Sequence, residues 1–180
     1  MDEAVSVIDP VALTRDAPLT RALVALNTAF ETELSPLDAD RLRALVAMAF
    51  AARRIGEVEA LLIAFDQDAA YDSPNFLWFR QRFGRFVYVD RIVVAAEARG
   101  RGHARRLYAD LFALARAVGH DQIVCEVNAQ PPNPGSDAFH AALGFRPVGA
   151  GAVPGRGKTV TYLRRPLSAA GDGDVTDPGE

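Results

Sequence analysis

A short basic and glycine-rich run in the middle of the chain has the composition of an anion-binding loop. It consists of Arg99, Gly100, Arg101, Gly102, His103 and Ala104, between a strand-like apolar segment and a segment with helical periodicity. Glycines let the backbone approach an anion closely, and the amide groups and dipole of a helix N-terminus point toward it. The two arginines add positive charge. The run is therefore predicted to cradle a phosphate or pyrophosphate group.

Two other glycine-rich nucleotide loops fit the sequence less well. Gly157, Lys158 and Thr159 match the end of a P-loop, but Ala152 stands where the first glycine is required and a strand-like segment follows instead of a helix. A dinucleotide-binding fingerprint is disfavoured because Arg105 stands where its third glycine would fall. An ATP-dependent amine ligase and a Rossmann-type reductase are accordingly weak hypotheses.

The loop resembles the cofactor loop of the GNAT superfamily of N-acetyltransferases, which reads Arg or Gln, any two residues, Gly, any residue, and Gly or Ala. Arg99, Gly102 and Ala104 match those positions. Further matches to the family's pattern are one strand before the loop and four residues after it: Asp90 to Val94, Asn133, Phe139, Gly144 and Phe145. Residues 50–165 follow the family's order of elements.

This resemblance implies both a fold and an activity. The fold is α/β of the α+β type, with a mixed, mostly antiparallel central sheet of about six or seven strands and helices on both faces. The activity is direct transfer of an acetyl group from acetyl-CoA, as cosubstrate, to a primary amine in a ternary complex, without a metal. The acceptor could be a small amine, a peptide N-terminus or a lysine. A homodimer is expected from the family alone.

The resemblance also assigns the residues that would hold the cofactor. The backbone of the strand before the loop should face the pantetheine arm, the loop should hold the pyrophosphate, and one asparagine should contact the cofactor as well. These residues are Ile92, Val93 and Val94; Arg99, Gly100, Arg101, Gly102, His103, Ala104 and Arg105; and Asn133. The thioester tunnel is expected between Val89 to Val94 and Cys125 to Asn128.

Acyl transfer to an amine needs an unprotonated nucleophile, a donor for the developing oxyanion and a proton for the thiolate leaving group. Asp90 stands where several family members carry a glutamate that is proposed as the general base. The alternative for Asp90 is a structural ion pair with Arg91, Arg85 or another cation, since such pairs also perturb carboxylates.

The thiolate needs a proton donor, for which His140 is the first candidate. Many family members carry a tyrosine at this position, and a histidine titrates close to neutral pH. The alternative for His140 is a half-exposed surface side chain without a chemical role. Tyr88, on the same strand face as Asp90, and Tyr108 are rival acids.

Three residues are predicted to bind the acceptor. Glu126 and Asn128 share one face of a strand because side chains alternate with period two, although a surface ion pair and a loop cap are their respective alternatives. Trp78 could form an acceptor wall or a dimer contact, whereas helical spacing favours core packing for its aromatic neighbours Phe76, Phe79 and Phe83. Cys125 is predicted to pack in the core.

The elements that must position these residues follow from periodicity, caps and glycine stops. A strand, helix and strand between Phe86 and Val127 should form a βαβ unit with parallel strands. The predicted elements are a helix from Asp16 through Glu33, a helix from Asp38 or Asp40 to about Ala51, a hairpin around Gly56 with Val58 to Phe65, a helix from Pro74, strand Phe86 to Val94, helix Arg101 to Ala117, strand Gln122 to Val127, helix Ser136 to Leu143, strand Phe145 to Val148, a mobile glycine-rich loop Gly149 to Lys158, and strand Thr159 to Arg164.

Composition limits the other possibilities. The 180 residues are enough for one core, so a single domain is predicted over residues 1–167, followed by a disordered acidic tail over residues 168–180. A net charge of −3 argues against a general nucleic-acid binder. The lone cysteine gives neither a disulfide framework nor a zinc cluster, and no basic or long apolar N-terminal run indicates a signal peptide or membrane span. A cytoplasmic location is expected.

One function from a different class is also compatible with the sequence. A catalytically silent CoA-binding or acyl-CoA-binding regulatory module would keep the phosphate loop and lack turnover. The departure from the family pattern at His140 keeps this alternative open.

Overall fold

A seven-stranded sheet forms the centre of the protein, in the order β1-β2-β3-β4-β5-β7-β6. The computed structural model describes residues 4–167. The strands are β1 (Val5–Val7), β2 (Ala51–Ile55), β3 (Ala60–Asp66), β4 (Val87–Val94), β5 (Gln122–Gln130), β6 (Arg146–Val153) and β7 (Lys158–Pro166). Only the β4–β5 pair is parallel among the strand pairs of these residues. The predicted mixed, mostly antiparallel sheet is confirmed.

Six helices in the described chain cover both faces of this sheet. They are α1 (Pro10–Arg15), α2 (Ala17–Thr28), α3 (Ala39–Met48), α4 (Pro74–Arg80), α5 (His103–Val118) and α6 (Pro134–Ala142). The predicted helix starts at Asp16 and Asp38 are confirmed, because the Asp16 carboxylate accepts from Leu19 N–H and the Asp38 carboxylate accepts from Arg41 N–H. No helix within residues 4–167 is both long enough and apolar enough to cross a bilayer.

The alternation of side chains along β3 shows how the two faces are filled. Leu61, Ile63 and Phe65 pack into a core with α1 to α4, whereas Leu62 and Ala64 pack into a second core with α5. Both sets are fully buried. A strand covered on both sides needs a continuous apolar run, and the run from residue 60 to 65 meets that need.

The βαβ unit is present as predicted, and its two strands separate. β4 and β5 pair only at Val87 with Ile123 and at Tyr88 with Val124. Beyond those pairs, toward the C-terminal ends of both strands, no further β4–β5 pairing occurs in the described chain. A wedge-shaped cleft therefore opens between residues 89–94 and residues 125–128.

Several predicted boundaries were wrong. α2 ends at Thr28 rather than Glu33, and residues 29–33 form turns that border the cavities described below. α3 ends at Met48, because β2 already begins at Ala51. The sequence analysis did not predict β1 or α1, both of which are short. The predicted tail, residues 168–180, lies outside the described residues.

The predicted glycine-rich mobile loop was also wrong over most of its length. β6 continues through Val153, so Gly149 and Gly151 are strand residues paired with β7. A Cβ atom at Gly149 would lie 2.6 Å from the Trp78 ring, and one at Gly151 would lie 2.7 Å from the Tyr162 hydroxyl. These glycines therefore make room for aromatic side chains against an edge strand.

Candidate functional site

A cavity of about 670 Å³ lies at the C-terminal end of β4. The backbone strand Ile92, Val93 and Val94 forms one wall, and the start of α5 forms another. Arg99, Gly100, Gly102, His103, Ala104 and Arg105 line the cavity, together with Asn133 and residues of α6. The structure thus brings together, around one cavity, all but one of the residues that the sequence predicts for cofactor binding.

The loop has the backbone geometry of an anion cradle. Gly100 and Gly102 both have φ of +79°, in the left-handed region that favours glycine. Gly102 is the N-cap of α5 and supplies no side-chain cap, so the first-turn amides of a 16-residue helix face the loop without one. The Arg99 guanidinium lies 5.1 Å from the centre of the Phe30 ring and also lines the cavity.

Glu59, which the sequence analysis did not single out, holds two of the loop's side chains. Arg101 Nη1 lies 3.3 Å from both Glu59 carboxylate oxygens, and the exposed Arg101 side chain does not line the cavity. His103 Nε2 lies 2.8 Å from Glu59 Oε2, and His103 is buried. Glu59 belongs to the β2–β3 turn, 42 residues from Arg101 along the chain, so no local spacing could indicate this contact.

The cleft between β4 and β5 contains a second, smaller cavity of about 110 Å³. Asp90, Glu126 and Asn128 line it, as do Tyr108 and Cys125. Both cavities are bordered by the same group of residues, namely Glu33, Leu34, Ile92, Asn133, Ser136 and His140. The two cavities therefore adjoin each other at these residues.

Glu126 is the most unusual carboxyl group of the cleft. Its Oε1 accepts hydrogen bonds from Asn75 Nδ2 at 2.9 Å and from the Tyr88 hydroxyl at 3.0 Å. Its Oε2 is buried without a hydrogen-bond partner in the described chain. Burial, assisted by the nearby Asp90 carboxylate, raises the pKa of Glu126 to about 8, against the two hydrogen bonds, which lower it. Glu126 is therefore held through one carboxyl oxygen, while the other is buried without a partner in the described chain.

Asp90 belongs to a buried polar network. Its Oδ1 accepts from the Tyr71 hydroxyl at 2.5 Å, and its Oδ2 accepts from Arg91 Nε at 2.7 Å. Arg91 Nη1 donates in turn to Asn27 Oδ1 at 2.8 Å. Because both carboxylate oxygens are engaged, the structure places Asp90 in the ion pair that the sequence offered as its alternative role. Asn27 and Tyr71 come from distant segments and gave no signal in the sequence.

Tyr88 and Tyr108 occupy different parts of the cleft. Tyr88 donates to Glu126, and burial together with that carboxylate raises the pKa of Tyr88 well above its usual value. The Tyr108 hydroxyl lies 2.8 Å from His140 Nε2, and burial likewise raises the pKa of Tyr108. Both phenols therefore remain protonated at neutral pH.

His140 is 4% exposed, which contradicts the half-exposed surface position that was its alternative. The His140 ring packs edge-on against Phe145, and this contact covers the ring. Its Nδ1 lies 2.8 Å from the Ser136 carbonyl oxygen, an acceptor, so Nδ1 carries the hydrogen. In the neutral ring Nε2 then accepts from Tyr108. Burial lowers the pKa of His140.

The remaining predicted residues have varied positions. Asn133 lines both cavities, and its Oδ1 accepts from Ser136 N–H as the N-cap of α6. Cys125 is buried, as predicted. Trp78 lines neither cavity and stacks on Tyr162 at 4.0 Å. Within residues 4–167 no group of three or more His, Cys, Asp or Glu side chains is arranged to hold a metal ion.

Solved structures share this fold at low sequence identity. The ribosomal-protein-S18-alanine N-acetyltransferase of Escherichia coli is 14% identical, with a TM-score of 0.64 over 95% of this chain and 97% of that one. An N-acetyltransferase of Staphylococcus aureus is 17% identical, with a TM-score of 0.67 over 93% of this chain and 100% of that one. A phosphinothricin acetyltransferase of Sinorhizobium meliloti, in complex with acetyl-CoA, is 21% identical, with a TM-score of 0.63 over 100% of this chain and 95% of that one.

Sequence comparisons give the family directly. A comparison with curated proteins finds no match. The family model of the acetyltransferase (GNAT) family matches residues 25–145, which contain β2 to β5, the loop at Arg99 and most of the cleft. Because this match spans more than half of the chain, the protein belongs to the GNAT acetyltransferase family.

Proposed function

We propose that this protein is an N-acetyltransferase that transfers an acetyl group from acetyl-CoA directly to a primary amine in a ternary complex. The observation that carries the proposal is the continuity of the two cavities. A large cavity with an anion-binding loop leads into a small cleft that contains Glu126, a carboxyl group with one unpartnered oxygen. Such an arrangement suits one ligand that is long and anionic and a second that carries an amine.

The larger cavity is proposed to hold acetyl-CoA. The glycine backbone at residues 100 and 102, the α5 N-terminus and Arg99 are proposed to bind the pyrophosphate, because all of them line this cavity. Residues 92–94 border the path of the pantetheine arm toward the cleft. Arg101 is proposed to act through Glu59, since it is bonded there. A similar structure from Sinorhizobium meliloti is a complex with acetyl-CoA, which supports this assignment.

Glu126 is proposed as the general base, in place of Asp90. An amine enters the cleft mainly as an ammonium ion and must lose a proton before its nitrogen can attack the thioester carbonyl carbon. Glu126 Oε2 has no partner in the described chain and can accept that proton. A pKa of about 8 suits exchange with an amine. Asp90 is proposed as a positioning residue that fixes Arg91 and the wall of the cleft.

The Tyr108–His140 pair is proposed to protonate the thiolate of CoA. His140 borders both cavities, and Tyr108 lines the cleft at hydrogen-bond distance from it. The Tyr108 hydroxyl remains protonated at neutral pH, so a proton is available when the carbon–sulfur bond breaks. His140 holds that hydroxyl in place through Nε2, while its own Nδ1–H is fixed on Ser136.

One domain is sufficient for this proposed reaction, since both cavities lie within residues 4–167. The single cysteine, Cys125, is a free thiol, which suits a reducing compartment. We therefore propose a cytoplasmic location for the enzyme.

The experiment that tests this function combines binding with turnover. Acetyl-CoA is titrated calorimetrically into the purified protein, and a panel of peptides, polyamines and small primary amines is then screened for release of CoA and for the acetylated product by mass spectrometry. Micromolar binding with product formation is expected. Binding without turnover of any amine would support the silent CoA-binding module, and an absence of binding would contradict the donor site.

A further inference from the structure

We propose that the acceptor site selects amines whose neighbouring groups carry no negative charge, such as an α-amine followed by an amide, and rejects amines beside a carboxylate or phosphinate. This inference rests on the proposed function, because it concerns the acceptor of that reaction. It goes further by assigning the charge class of the acceptor, which no motif in the sequence encodes. The charges, the size and the opening of the β4–β5 cleft together determine this selectivity.

The charged side chains that line the cleft are predominantly acidic. Glu33, Asp90 and Glu126 supply three carboxyl groups, against one guanidinium group from Arg91. His140 adds no positive charge at neutral pH, because burial lowers the pKa of its ring. Asp90 is offset by Arg91, and Glu126, whose pKa is about 8, is mainly protonated at pH 7, so the uncompensated charge of the cleft is that of Glu33. An ammonium ion entering the cleft is therefore attracted to Glu33, whereas a carboxylate is repelled by it.

Two of the three guanidinium nitrogens of Arg91 are hydrogen-bonded within the protein. Its Nε donates to Asp90 at 2.7 Å and its Nη1 donates to Asn27 at 2.8 Å, and its side chain is only 3% exposed. Recognition of a ligand carboxylate uses an arginine or lysine that can present its donors to the ligand. Nε and Nη1 of Arg91 are thus already engaged within the protein, and its charge is offset by Asp90.

The other cations near the cavities lie on the donor side. Arg99 and Arg105 line the larger cavity and are not among the residues that line the cleft. Their guanidinium groups lie over the rings of Phe30 and Phe139, at 5.1 and 5.9 Å from the ring centres. Among the described residues that border the cleft, Arg91 is therefore the only arginine or lysine, and its charge is paired with Asp90.

The volume of the cleft limits how much of the acceptor molecule can lie next to these charged side chains. About 110 Å³ holds only a few non-hydrogen atoms, since a water molecule occupies about 30 Å³ in the liquid. An amine and the carbon bonded to it fit within this volume, whereas larger substituents beside the amine extend toward the opening of the cleft. Glu33, which is exposed and borders both cavities, is at that opening. A negative substituent beside the amine would therefore be placed near Glu33.

The test compares L-alaninamide with L-alanine, which differ in the group beside the same amine. Each is titrated into the protein saturated with CoA, and its dissociation constant is measured by ligand-observed NMR at pH 7, where α-amines are mainly ammonium ions. CoA carries no acetyl group, so the titration reports acceptor binding without reaction. We expect the amide to bind at least about tenfold more tightly, equivalent to about 1.4 kcal/mol.

Charge reversal at the opening gives a matched control. Glu33→Lys should narrow the amide-to-acid ratio by at least about threefold, whereas Glu31→Lys, an exposed change two residues away that borders neither cavity, should leave it unchanged. Equal changes by both variants would attribute the ratio to net charge and overturn the proposal. So would equal or tighter binding of alanine, or no binding of either amine. A protein that selects the amide yet releases no CoA from acetyl-CoA contradicts the proposed function alone.

Discussion

The donor cavity, which is the larger of the two cavities, and the acceptor cleft between β4 and β5 differ in how their lining is spread along the chain. Much of the lining of the donor cavity comes from two adjoining segments, residues 92–94 and residues 98–105 except Arg101, at the junction of a strand with a helix. The acceptor cleft is formed by side chains of β4, β5, α5 and α6, and these residues contact one another across long sequence separations. A loop motif thus identifies the first region, whereas the second exists only after folding.

This difference predicts different responses to mutation. The donor cavity uses many amide groups together, so loss of one side chain should weaken binding moderately. The acceptor cleft depends on single ionisable groups in fixed positions, so loss of one should reduce turnover strongly while acetyl-CoA binding persists. Substitutions in each region separate these two outcomes.

Glu126→Gln should have the largest effect. The amide keeps the size of the side chain and can retain hydrogen bonds to Asn75 and Tyr88, but it cannot accept a proton from the amine. We expect kcat/KM to fall by about a hundredfold or more, the usual loss for a general base. The acetyl-CoA dissociation constant, measured by calorimetry, should change little.

Asp90→Asn is the matched comparison for this change. If Asp90 were the base, its amide variant would lose as much activity as the Glu126 variant and the assignment to Glu126 would be wrong. If Asp90 is a positioning residue, the variant should instead show lower thermal stability, because it weakens the ion pair with Arg91.

The pH dependence of turnover should follow the protonation state of Glu126. A base acts only when it is unprotonated, and the pKa of Glu126 is raised to about 8. The kcat/KM value should therefore rise about tenfold per pH unit as pH increases toward 8 and level off above it. The amine also titrates, so the Glu126→Gln variant is the control. If both profiles have the same inflections, Glu126 does not determine the pH dependence.

The predictability of each region follows from the same difference. The strand and helix around Arg99 and Gly102 were predictable because the glycine stop signals, the apolar run and the helical period all lie within one segment. The raised pKa of Glu126 was not predictable from the sequence, because it depends on burial among residues of other segments, such as Asn75 and Tyr88. The same holds for the engagement of Asp90 by Tyr71 and Arg91. The alternation of side chains along a strand correctly predicted that Glu126 and Asn128 lie on one face of β5. It could not predict which residues that face contacts.

Arg99→Ala and Arg101→Ala should differ in how much they weaken acetyl-CoA binding, although the loop motif predicts that both arginines bind phosphate. Arg99 lines the donor cavity, whereas Arg101 is exposed and pairs with Glu59 outside it. We expect about tenfold weaker acetyl-CoA binding for Arg99→Ala and less than about threefold for Arg101→Ala, because exposed ion pairs contribute little. Calorimetric titration of each variant measures this. An equal loss for both would place Arg101 at the phosphate as well.

His120→Leu should have the smallest effect, and it should increase the stability of the protein, whereas the substitutions above reduce activity, binding or stability. His120 precedes β5, six residues before Glu126, and lines neither cavity. It is 5% exposed, and neither ring nitrogen has a hydrogen-bond partner in the described chain, in contrast to His140. An unsatisfied buried polar group is destabilising, so the leucine variant should raise the free energy of unfolding by about 1 kcal/mol.

Burial also lowers the pKa of His120, so the native protein should lose stability as pH falls below the usual histidine value of about 6.5, and the variant should lose less. Urea unfolding at two pH values measures both effects. A destabilised variant would mean that a polar partner satisfies the imidazole.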